Sequence, residues 1–297
     1  ANARYQGKCK CPLIVVPNAT YEKWVREIIG YNDEKTGDFI PGVLSNTGIQ
    51  VNDWYNLGTR VLKSVNVNKK IPLNTITVVT YEGFAKIGFS NKIMNHLFDH
   101  LADILAQNED NTRSARDIEK KKQKYRQIIG TGLKDTIADI DGLGIDYIVI
   151  DEGHNFKNVF ADVKAGRDGV KRFKVQSGES ERAIKAFFLC NYIQRTFKQN
   201  VMLLTATPFT NSPLEIYSML SLVGYESLKN MGIDNIERFM ETFIKQTVEY
   251  APNYKDEIVP TPVVKSFNNR LVLQKLLYNH INYKTGEEAG VRRPCKI

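Results

Sequence analysis

The segment Asp-Tyr-Ile-Val-Ile-Asp-Glu-Gly-His-Asn-Phe-Lys-Asn, residues 146–158, decides the fold predicted for this chain. Its apolar, β-type run, Tyr147–Ile150, is followed by two adjacent carboxylates, Asp151 and Glu152. Continuous apolar runs are typical of strands that are buried on both faces of a parallel sheet. In open α/β sheets, ligands bind just beyond the carboxyl ends of such strands. The segment therefore predicts a parallel sheet with Asp151 and Glu152 at its ligand-binding edge.

Adjacent carboxylates at this edge suit phosphate chemistry. A hard cation such as Mg²⁺ is held by carboxylate oxygens together with phosphate oxygens of the substrate. The second carboxylate would then orient or deprotonate a water. A strand that ends in an acidic N-cap turn explains the same two residues without a ligand. A bare Asp-Glu pair favours that second interpretation, so the decision depends on the other motifs of the chain.

Length and composition indicate an ordinary globular protein. The 297 residues suffice for one large core or two modest ones, with 42% hydrophobic and 25% charged residues. No apolar run approaches the ~18–20 residues that span a bilayer. Residues 1–10 are polar and basic and lack the apolar segment of a signal peptide. We therefore expect a cytoplasmic protein that has no membrane partner.

The cysteines and histidines do not follow a metal-binding pattern. A structural zinc site needs four converging ligands, and the Cys9-x-Cys11 spacing alone is weak support for one. His96 and His100 share a helical face but lack the glutamate of a metalloprotease motif. The others are scattered, namely Cys190, Cys295, His154 and His280. Reduced, structural thiols are the simpler expectation.

Positive charge is concentrated in two segments. The net charge is +8, and residues 113–126 carry seven basic side chains against two acidic ones. Residues 164–174 carry five against one. Such a bias is compatible with a polyanionic partner, but a solvated helix face explains it equally simply, so charge alone does not establish nucleic-acid binding.

Strand and helix patterns alternate along the chain. Apolar β-type runs predict strands at residues 13–16, 76–80, 147–150 and 201–205. Helical periodicity predicts helices at 21–29, 93–105, 183–197, 214–222, 236–247 and 271–281. A further helical stretch is predicted at 118–140, with an interruption near Gly130 and Gly132. Residues 51–65 fit either a helix or an irregular segment. Strands that alternate with helices predict a parallel sheet with right-handed crossovers.

Four strand-end motifs occur in a particular order. They are Pro-Leu-Ile-Val-Val-Pro-Asn-Ala-Thr-Tyr-Glu-Lys-Trp (12–24), Ile-Thr-Val-Val-Thr-Tyr-Glu (76–82), the DEAH-box-like Asp-Glu-Gly-His (151–154) and Met-Leu-Leu-Thr-Ala-Thr-Pro-Phe-Thr-Asn-Ser (202–212). Their order resembles the first RecA-like lobe of superfamily 2 helicases. It is most similar to Swi/Snf-type ATPases and to the helicase-like regions of large phage and mobile-element proteins. Lys157-Asn158 and Glu215 add to this resemblance.

The resemblance implies an α/β fold and a division of the chain. Residues 1–87 and 143–225 would form a RecA-like, three-layer α/β/α lobe with a mostly parallel sheet. Residues 88–142 would form a basic helical insertion. Residues 226–297 would form a helical extension that leads towards a second RecA-like lobe. That second lobe and DNA are the expected partners.

Catalytic roles are carried over residue by residue from this resemblance. Asp151 would bind Mg²⁺, directly or through water, and Glu152 would position the water that attacks the γ-phosphate of ATP. His154 would link this site to the segment Thr205, Ala206 and Thr207, whose hydroxyls can relay a change of state. A surface turn histidine is the plainer alternative.

Two regions are expected to contact nucleic acid. Pro17, Asn18, Thr80 and Tyr81 would lie along its track, where they contact backbone phosphates rather than bases. Trp24, in the following helix, is expected mainly to pack that helix against the sheet. As a second hypothesis, the basic insertion would contact the DNA backbone through Arg113, Arg116, Lys120, Lys121, Lys122, Lys124 and Arg126.

The phosphate-binding loop of the family pattern does not occur in this sequence. A nucleotide-hydrolysing lobe of this class has G-x-x-x-x-G-K-[ST] ahead of the first motif. Here Gly7-Lys8-Cys9 precedes it, without an upstream glycine or a following Ser or Thr, and we expect a loop there. ATP and Mg²⁺ are therefore expected as cofactors of a larger parent protein from which this piece is excised. Neither is expected to bind tightly to this chain alone.

The resulting prediction is the first motor lobe of an ATP-dependent DNA translocase or helicase. A naturally degenerate lobe that acts as a non-hydrolytic DNA- or protein-binding module is the alternative. The motor subunit of a restriction system would share the sheet and the Asp-Glu-Gly-His segment, but would not predict Lys157-Asn158 after it.

Overall fold

A computed structural model describes residues 2–54, 70–107, 115–129, 138–160, 179–208, 212–252, 257–288 and 290. Its strands are β1 (Pro12–Val16), β2 (Tyr31–Asn32), β3 (Phe39–Ile40), β4 (Gln50–Trp54), β5 (Thr75–Thr80), β6 (Ile87–Gly88), β7 (Ala138–Asp139), β8 (Tyr147–Ile150), β9 (Val201–Leu203), β10 (Ile244–Pro252) and β11 (Ile258–Phe267). Its helices are α1 (Asn2–Tyr5), α2 (Tyr21–Ile29), α3 (Tyr81–Phe84), α4 (Asn91–Gln107), α5 (Ala115–Ile129), α6 (Ile140–Leu143), α7 (Glu181–Phe197), α8 (Pro213–Asn230), α9 (Ile236–Phe243) and α10 (Arg270–His280).

A five-stranded parallel sheet has the strand order β4-β5-β1-β8-β9. In the central strand, Val15 lies between Val79 of β5 and Ile150 of β8. Every residue of β1 is buried, as expected of a strand with helices on both sides of its sheet. Because all five strands are parallel, their carboxyl ends lie at one edge. The predicted parallel sheet is confirmed.

Alternate side chains of β1 face two different cores. Leu13 and Val15 belong to the larger core, which includes side chains of α4, α5, α7 and α8. Ile14 and Val16 belong to the smaller core on the other face, with Tyr21 of α2. This division follows from the two-residue period of a strand. Helices cover both faces of the sheet, which confirms the predicted three-layer α/β/α lobe.

The predicted insertion begins and ends at two short paired strands. Ile87 of β6 pairs in parallel with Ala138 of β7. Between them, α4 and α5 pack on α7, where Phe98 stacks on Phe188 with ring centroids 5.7 Å apart. Tyr125 of α5 is fully buried nearby. The two helices therefore share the main core of the lobe instead of forming a separate one.

A carboxylate fixes α5 against the start of α7. Glu179 accepts hydrogen bonds from Lys121 at 2.8 Å, Lys124 at 3.2 Å and the Tyr125 hydroxyl at 3.0 Å. Burial raises the pKa of Glu179, but the hydrogen bond and charge of Lys121, with Lys124 and Tyr125, outweigh it and lower the pKa below its usual value. Charge in the insertion thus contributes to its packing.

The C-terminal part contains a β-ribbon where helix was predicted. Helix α9 ends at Phe243, and β10 and β11 then pair antiparallel. The prediction of helix through residue 247 is wrong, and the extension that was predicted to be mainly helical also contains this ribbon. Thr247, Val248 and Tyr250 have high strand propensity, and Pro252 disfavours the interior of a helix, so this stretch favours a strand.

Helix α10 returns to pack against α8. Gly224 interrupts the helical geometry of α8 with φ −158° and ψ 42°. A Cβ atom at this position would lie 2.3 Å from the His280 ring. Burial lowers the pKa of His280. A side chain at 224 would therefore have to displace the His280 ring.

Two further predictions need correction. Residues 51–65 begin as a strand, since β4 pairs in parallel with β5, and residues 55–69 lie outside the described part of the chain. The helical stretch predicted from 118 to 140, with an interruption near Gly130 and Gly132, is described as α5 up to Ile129. Ile140, which was assigned to the same stretch, begins the separate helix α6. Residues 130–137, 161–178 and 209–211, which include Asn211, also lie outside the described residues.

The Glu179 contacts predict a pH-dependent contribution to stability. Replacing Glu179 with Gln is expected to lower the free energy of unfolding by about 2–3 kcal/mol at neutral pH, because two lysines lose their carboxylate. The folded-state pKa is lowered, so the contribution is present above the unfolded pKa of about 4.3 and is lost as pH falls through the folded value. Urea unfolding at a series of pH values measures both effects.

The matched control is Asp99→Asn. Asp99 of α4 pairs with Arg126 of α5, but the Asp99 side chain is 64% exposed. We expect a change within about 0.5 kcal/mol. Equal effects of the two substitutions, or a Glu179→Gln effect that does not diminish towards low pH, would contradict the account.

Candidate nucleotide and nucleic-acid site

The predicted catalytic residues lie at the carboxyl edge of the sheet. Asp151 directly follows β8, and its N–H donates to the Val15 carbonyl of β1 at 2.8 Å. The ends of β1, β5 and β9 lead into Pro17, Tyr81 and Leu204. Strand-end segments that are far apart in sequence therefore meet around residues 151–157.

The Asp-Glu-Gly-His turn has a constrained backbone. Glu152 lies in the left-handed region with φ 49°. Gly153 donates its N–H to the Leu204 carbonyl at 2.8 Å, and a Cβ atom on it would lie 2.9 Å from the Leu203 Cβ. Gly153 is therefore required because the turn approaches the end of β9 too closely for a side chain.

Two aromatic residues from other strand ends hold Asp151. Its Oδ2 accepts a hydrogen bond from the Trp24 indole at 2.7 Å, and its backbone carbonyl accepts one from the Tyr81 hydroxyl at 2.7 Å. Its Oδ1 accepts from the Glu152 N–H at 3.0 Å. Trp24 therefore has a polar contact beyond the packing role that its sequence pattern predicted. The sequence could have indicated such a contact, because a buried indole N–H normally has a hydrogen-bond acceptor.

His154 contacts both of its predicted neighbours. Its Nδ1 lies 3.0 Å from the Thr205 hydroxyl and 3.2 Å from Glu152 Oε2. Because a carboxylate only accepts, the contact with Glu152 requires a proton on Nδ1. The Thr205 hydroxyl also accepts from the Thr207 N–H at 3.1 Å, while Ala206 is exposed. The structure thus brings His154 and residues 205–207 together, and the relay of a change of state stays a prediction.

Thr80 and Tyr81 face inwards. Thr80 is fully buried, and its hydroxyl caps α3 by accepting from the Gly83 N–H at 3.1 Å. Tyr81 is 7% exposed. Its burial raises the hydroxyl pKa to about 12, so it stays protonated and donates to Asp151. Both hydroxyls therefore have protein partners at the position where phosphate contacts were predicted.

Pro17 and Asn18 lie on the surface side of the same edge. Pro17 is half-buried, and Asn18 is exposed in a 3-10 turn, Asn18–Thr20, that leads into α2. Thr20 is the N-cap residue of α2, but its hydroxyl donates to the Pro17 carbonyl at 3.2 Å and does not cap the helix. Among these strand-end positions, Asn18 is the one whose side chain is open to a ligand.

A buried ion pair connects the segment that follows the Asp-Glu-Gly-His turn to α8. Lys157 Nζ lies 2.8 Å from Glu215 Oε1, and their side chains are 19% and 7% exposed. Glu215 is in the first turn of α8, which Ser212 caps by accepting from the Leu214 N–H at 3.1 Å. The sequence pointed to Lys157 and Glu215 only through the family resemblance. It did not predict that they pair, because their contact depends on the fold.

Three basic residues of the insertion bind carboxylates, and two further ones have exposed side chains. Lys121 and Lys124 bind Glu179, and Arg126 binds Asp99. Lys122 is half-buried. The side chains of Arg116 and Lys120 are exposed. Arg113 lies outside the described residues.

The remaining candidates show ordinary structural roles. In the described part of the chain, no group of three or more His, Cys, Asp or Glu side chains is placed to hold a metal. Cys9, Cys11 and Cys190 are free and buried, and Cys295 lies outside the described residues. Gly7 has φ 69° and ends α1, which confirms the expected loop at Gly7-Lys8. No described helix combines the length and apolarity needed to cross a bilayer.

Comparison with known proteins relates the chain to helicases. Residues 59–285 match a family described as a probable helicase domain. Over 224 residues, the chain is 26% identical to "Defense against restriction protein B" of Escherichia phage P1. That alignment covers 71% of this chain and 10% of the phage protein. The chain thus spans about a tenth of the length of this relative.

The hydrogen bond from Trp24 to Asp151 is testable as an energetic coupling. In a double-mutant cycle with Trp24→Phe and Asp151→Ala, we expect a coupling free energy of about 1–2 kcal/mol, because a charged acceptor and its donor are separated. Urea unfolding of the four proteins measures it. Trp54→Phe, in β4, replaces Trp24→Phe in the control cycle and should be additive with Asp151→Ala. Additivity in both cycles would show that the hydrogen bond is not formed in solution.

Proposed function

This chain belongs to the probable helicase domain family, and we propose that it is the first motor lobe of an ATP-dependent DNA translocase or helicase of the Swi/Snf-type superfamily 2 class. The parent protein would couple ATP hydrolysis to movement along DNA through opening and closing of two lobes. It would act in the cytoplasm. The observation that supports this proposal most is the convergence of segments following β1, β5 and β9 on residues 151–157.

The convergence matters because a motor must connect two ligand sites. Trp24 follows the exposed turn at Asn18, and Tyr81 follows β5. Both bind Asp151, through its carboxylate and its carbonyl. A displacement of either segment by nucleic acid would therefore change the position of the carboxylate that we assign to the metal.

The donor set fits Mg²⁺ that is bound jointly with a nucleotide. Asp151 and Glu152 provide carboxylate oxygens, but the described residues contain no complete cage of protein ligands. Mg²⁺ commonly uses one or two carboxylates together with substrate phosphates, and when bound it neutralises charge on the transferred phosphoryl group. Asp151 would hold the ion, while Glu152, whose side chain is 44% exposed, would orient the attacking water.

Two contacts would transmit a change at this turn to neighbouring elements. His154 joins Glu152 to Thr205 at the end of β9. Lys157 joins the end of the turn to Glu215 of α8. Since the backbone of residues 151–157 is constrained by Gly153, movement of the turn would shift both contacts together.

We assign nucleic-acid contact to backbone phosphates. Asn18 is exposed at the strand-end edge, and Arg116 and Lys120 are exposed on α5. Lys121, Lys124 and Arg126 already have carboxylate partners. Arg116 and Lys120 are therefore the better candidates within the insertion, and the charge of the others would add to the local potential.

The hydrolytic activity would belong to the larger protein. Residues 1–297 contain no G-x-x-x-x-G-K-[ST] segment that would hold the nucleotide phosphates. We propose that this chain alone neither binds ATP tightly nor hydrolyses it, and that a phosphate loop and a second lobe elsewhere in the parent complete the site.

A non-hydrolytic lobe that binds DNA or protein is the alternative function. The absence of the G-x-x-x-x-G-K-[ST] motif from residues 1–297 favours this alternative. In such a lobe, the buried ion pairs of Lys121 and Lys157 would stabilise the fold. Under this alternative, Asp151 and Glu152 would be structural, and their replacement in the full parent protein would leave ATP turnover unchanged.

Contact of the insertion with DNA predicts strong salt dependence. Charge reversal of Arg116 and Lys120 together should weaken binding of a short duplex about tenfold or more at low salt and reduce the slope of log K against log salt by about two. Fluorescence anisotropy over a salt series measures both. The control, reversal of Lys229 and Lys245 on the C-terminal part, changes the net charge equally. Equal losses in both variants would leave only a non-local charge effect, and wild-type binding that is insensitive to salt would reject the contact.

The inactivity of the isolated chain is a separate prediction. We expect Mg²⁺-dependent ATP turnover of the wild-type chain to equal that of Glu152→Gln within error. A coupled phosphate-release measurement with and without duplex DNA tests this. Turnover that disappears in Glu152→Gln would show that these residues already form a complete active site.

A further inference from the structure

A phosphate at the end of β5 would have to bind a residue other than the predicted Thr80 and Tyr81. The Thr80 hydroxyl caps α3, and the Tyr81 hydroxyl binds the Asp151 carbonyl. Neither is available to a ligand without breaking a buried hydrogen bond. The outward face of the Tyr81 ring, however, is covered by a cation, the Arg182 guanidinium, whose carbon lies 4.8 Å from the ring centroid.

Arg182 is placed at the same edge as Asp151. It is the second residue of α7, and its side chain is exposed. The residue before α7, Ser180, donates its N–H to the Asn158 carbonyl at 2.9 Å. The first turn of α7 is therefore tied directly to the end of the catalytic turn.

Arg182 differs from other cations near the core in its ion-pair partners. Lys121 and Lys157 form buried ion pairs with Glu179 and Glu215. Within the described residues, no carboxylate lies at ion-pairing distance from Arg182. Its guanidinium is oriented by the aromatic face of Tyr81, which leaves the N–H groups at its rim free to donate.

We propose that Arg182 binds a backbone phosphate of nucleic acid at the end of β5. This inference rests on the proposed function and specifies one of its contacts. A planar guanidinium held over the Tyr81 ring presents paired N–H donors, which match two phosphate oxygens. The contact is to the backbone and therefore carries no sequence preference.

The same stack brings the phosphate contact close to the catalytic carboxylate. The ring of Tyr81 lies beneath Arg182, and its hydroxyl holds the Asp151 carbonyl. Phe156 packs against the Tyr81 ring, with centroids 5.1 Å apart, and limits its movement. Tyr81 is thus a positioning residue between Arg182 and Asp151.

Binding of a short duplex DNA by the full chain, measured by anisotropy over a salt series, tests the proposal. Arg182→Ala should weaken binding about tenfold at low salt and reduce the salt slope by about one. Arg182→Lys should keep the slope but recover only part of the affinity, because an ammonium lacks the planar fork.

The matched control is Arg195→Ala, in the last turn of the same helix. Arg195 pairs with Glu226 at 3.4 Å, so its loss should leave affinity and slope near wild type. Unchanged binding in Arg182→Ala, while the wild type binds with a normal salt slope, overturns the inference and leaves the proposed function intact. Absence of salt-sensitive binding by the wild type overturns both.

The phosphate of a nucleotide is the other source of the same chemistry. Repeating the titration with excess MgATP separates the two sources. DNA binding that ATP leaves unchanged supports the backbone assignment. Competition by ATP that is lost in Arg182→Ala would assign Arg182 to a nucleotide and overturn the proposal.

Discussion

The rest of the site depends on the hydrogen bonds that hold Asp151. Its carboxylate is bound by an indole from α2, and its carbonyl by a phenol from α3. These donors come from segments that follow two different strands, β1 and β5. A carboxylate held in this way cannot change its position without disturbing both neighbouring segments. That constraint turns three separate strand ends into one connected unit.

The Asp-Glu-Gly-His turn has backbone and side-chain constraints that suit these residue types. Glu152 adopts a left-handed conformation, which costs a non-glycine residue about 1–2 kcal/mol. Gly153 then allows the turn to contact the end of β9, and His154 reaches both Glu152 and Thr205. Burial of Phe156 against Tyr81 and Phe84 offsets the strain by packing the following residues into the core. The turn is therefore supported by its contacts with the end of β9 and with Tyr81 and Phe84.

The sequence predicted four of the five strands of the central sheet because they are short apolar or β-branched runs, and β1 and β5 are buried along their whole length. Strand β4 was not predicted. The runs at β1, β5, β8 and β9 required only local patterns. The β10–β11 ribbon was missed because it is partly exposed, with Val248 and Tyr250 62% and 75% exposed, and its pattern lacks a continuous apolar run. The direction of the Thr80 and Tyr81 hydroxyls was also beyond local patterns. Tyr81 and Trp24 bind a residue 70 and 127 positions away, so their partners follow from the fold alone.

The indole N–H resonance of Trp24 tests the central claim most directly. The chain has two tryptophans, so ¹⁵N-tryptophan labelling gives two indole signals, which Trp24→Phe assigns. The account predicts that the Trp24 signal is shifted downfield, exchanges slowly with solvent, and moves upfield in Asp151→Ala while that of Trp54 stays in place. A Trp24 signal at the position of a free indole, unchanged by Asp151→Ala, would contradict the account.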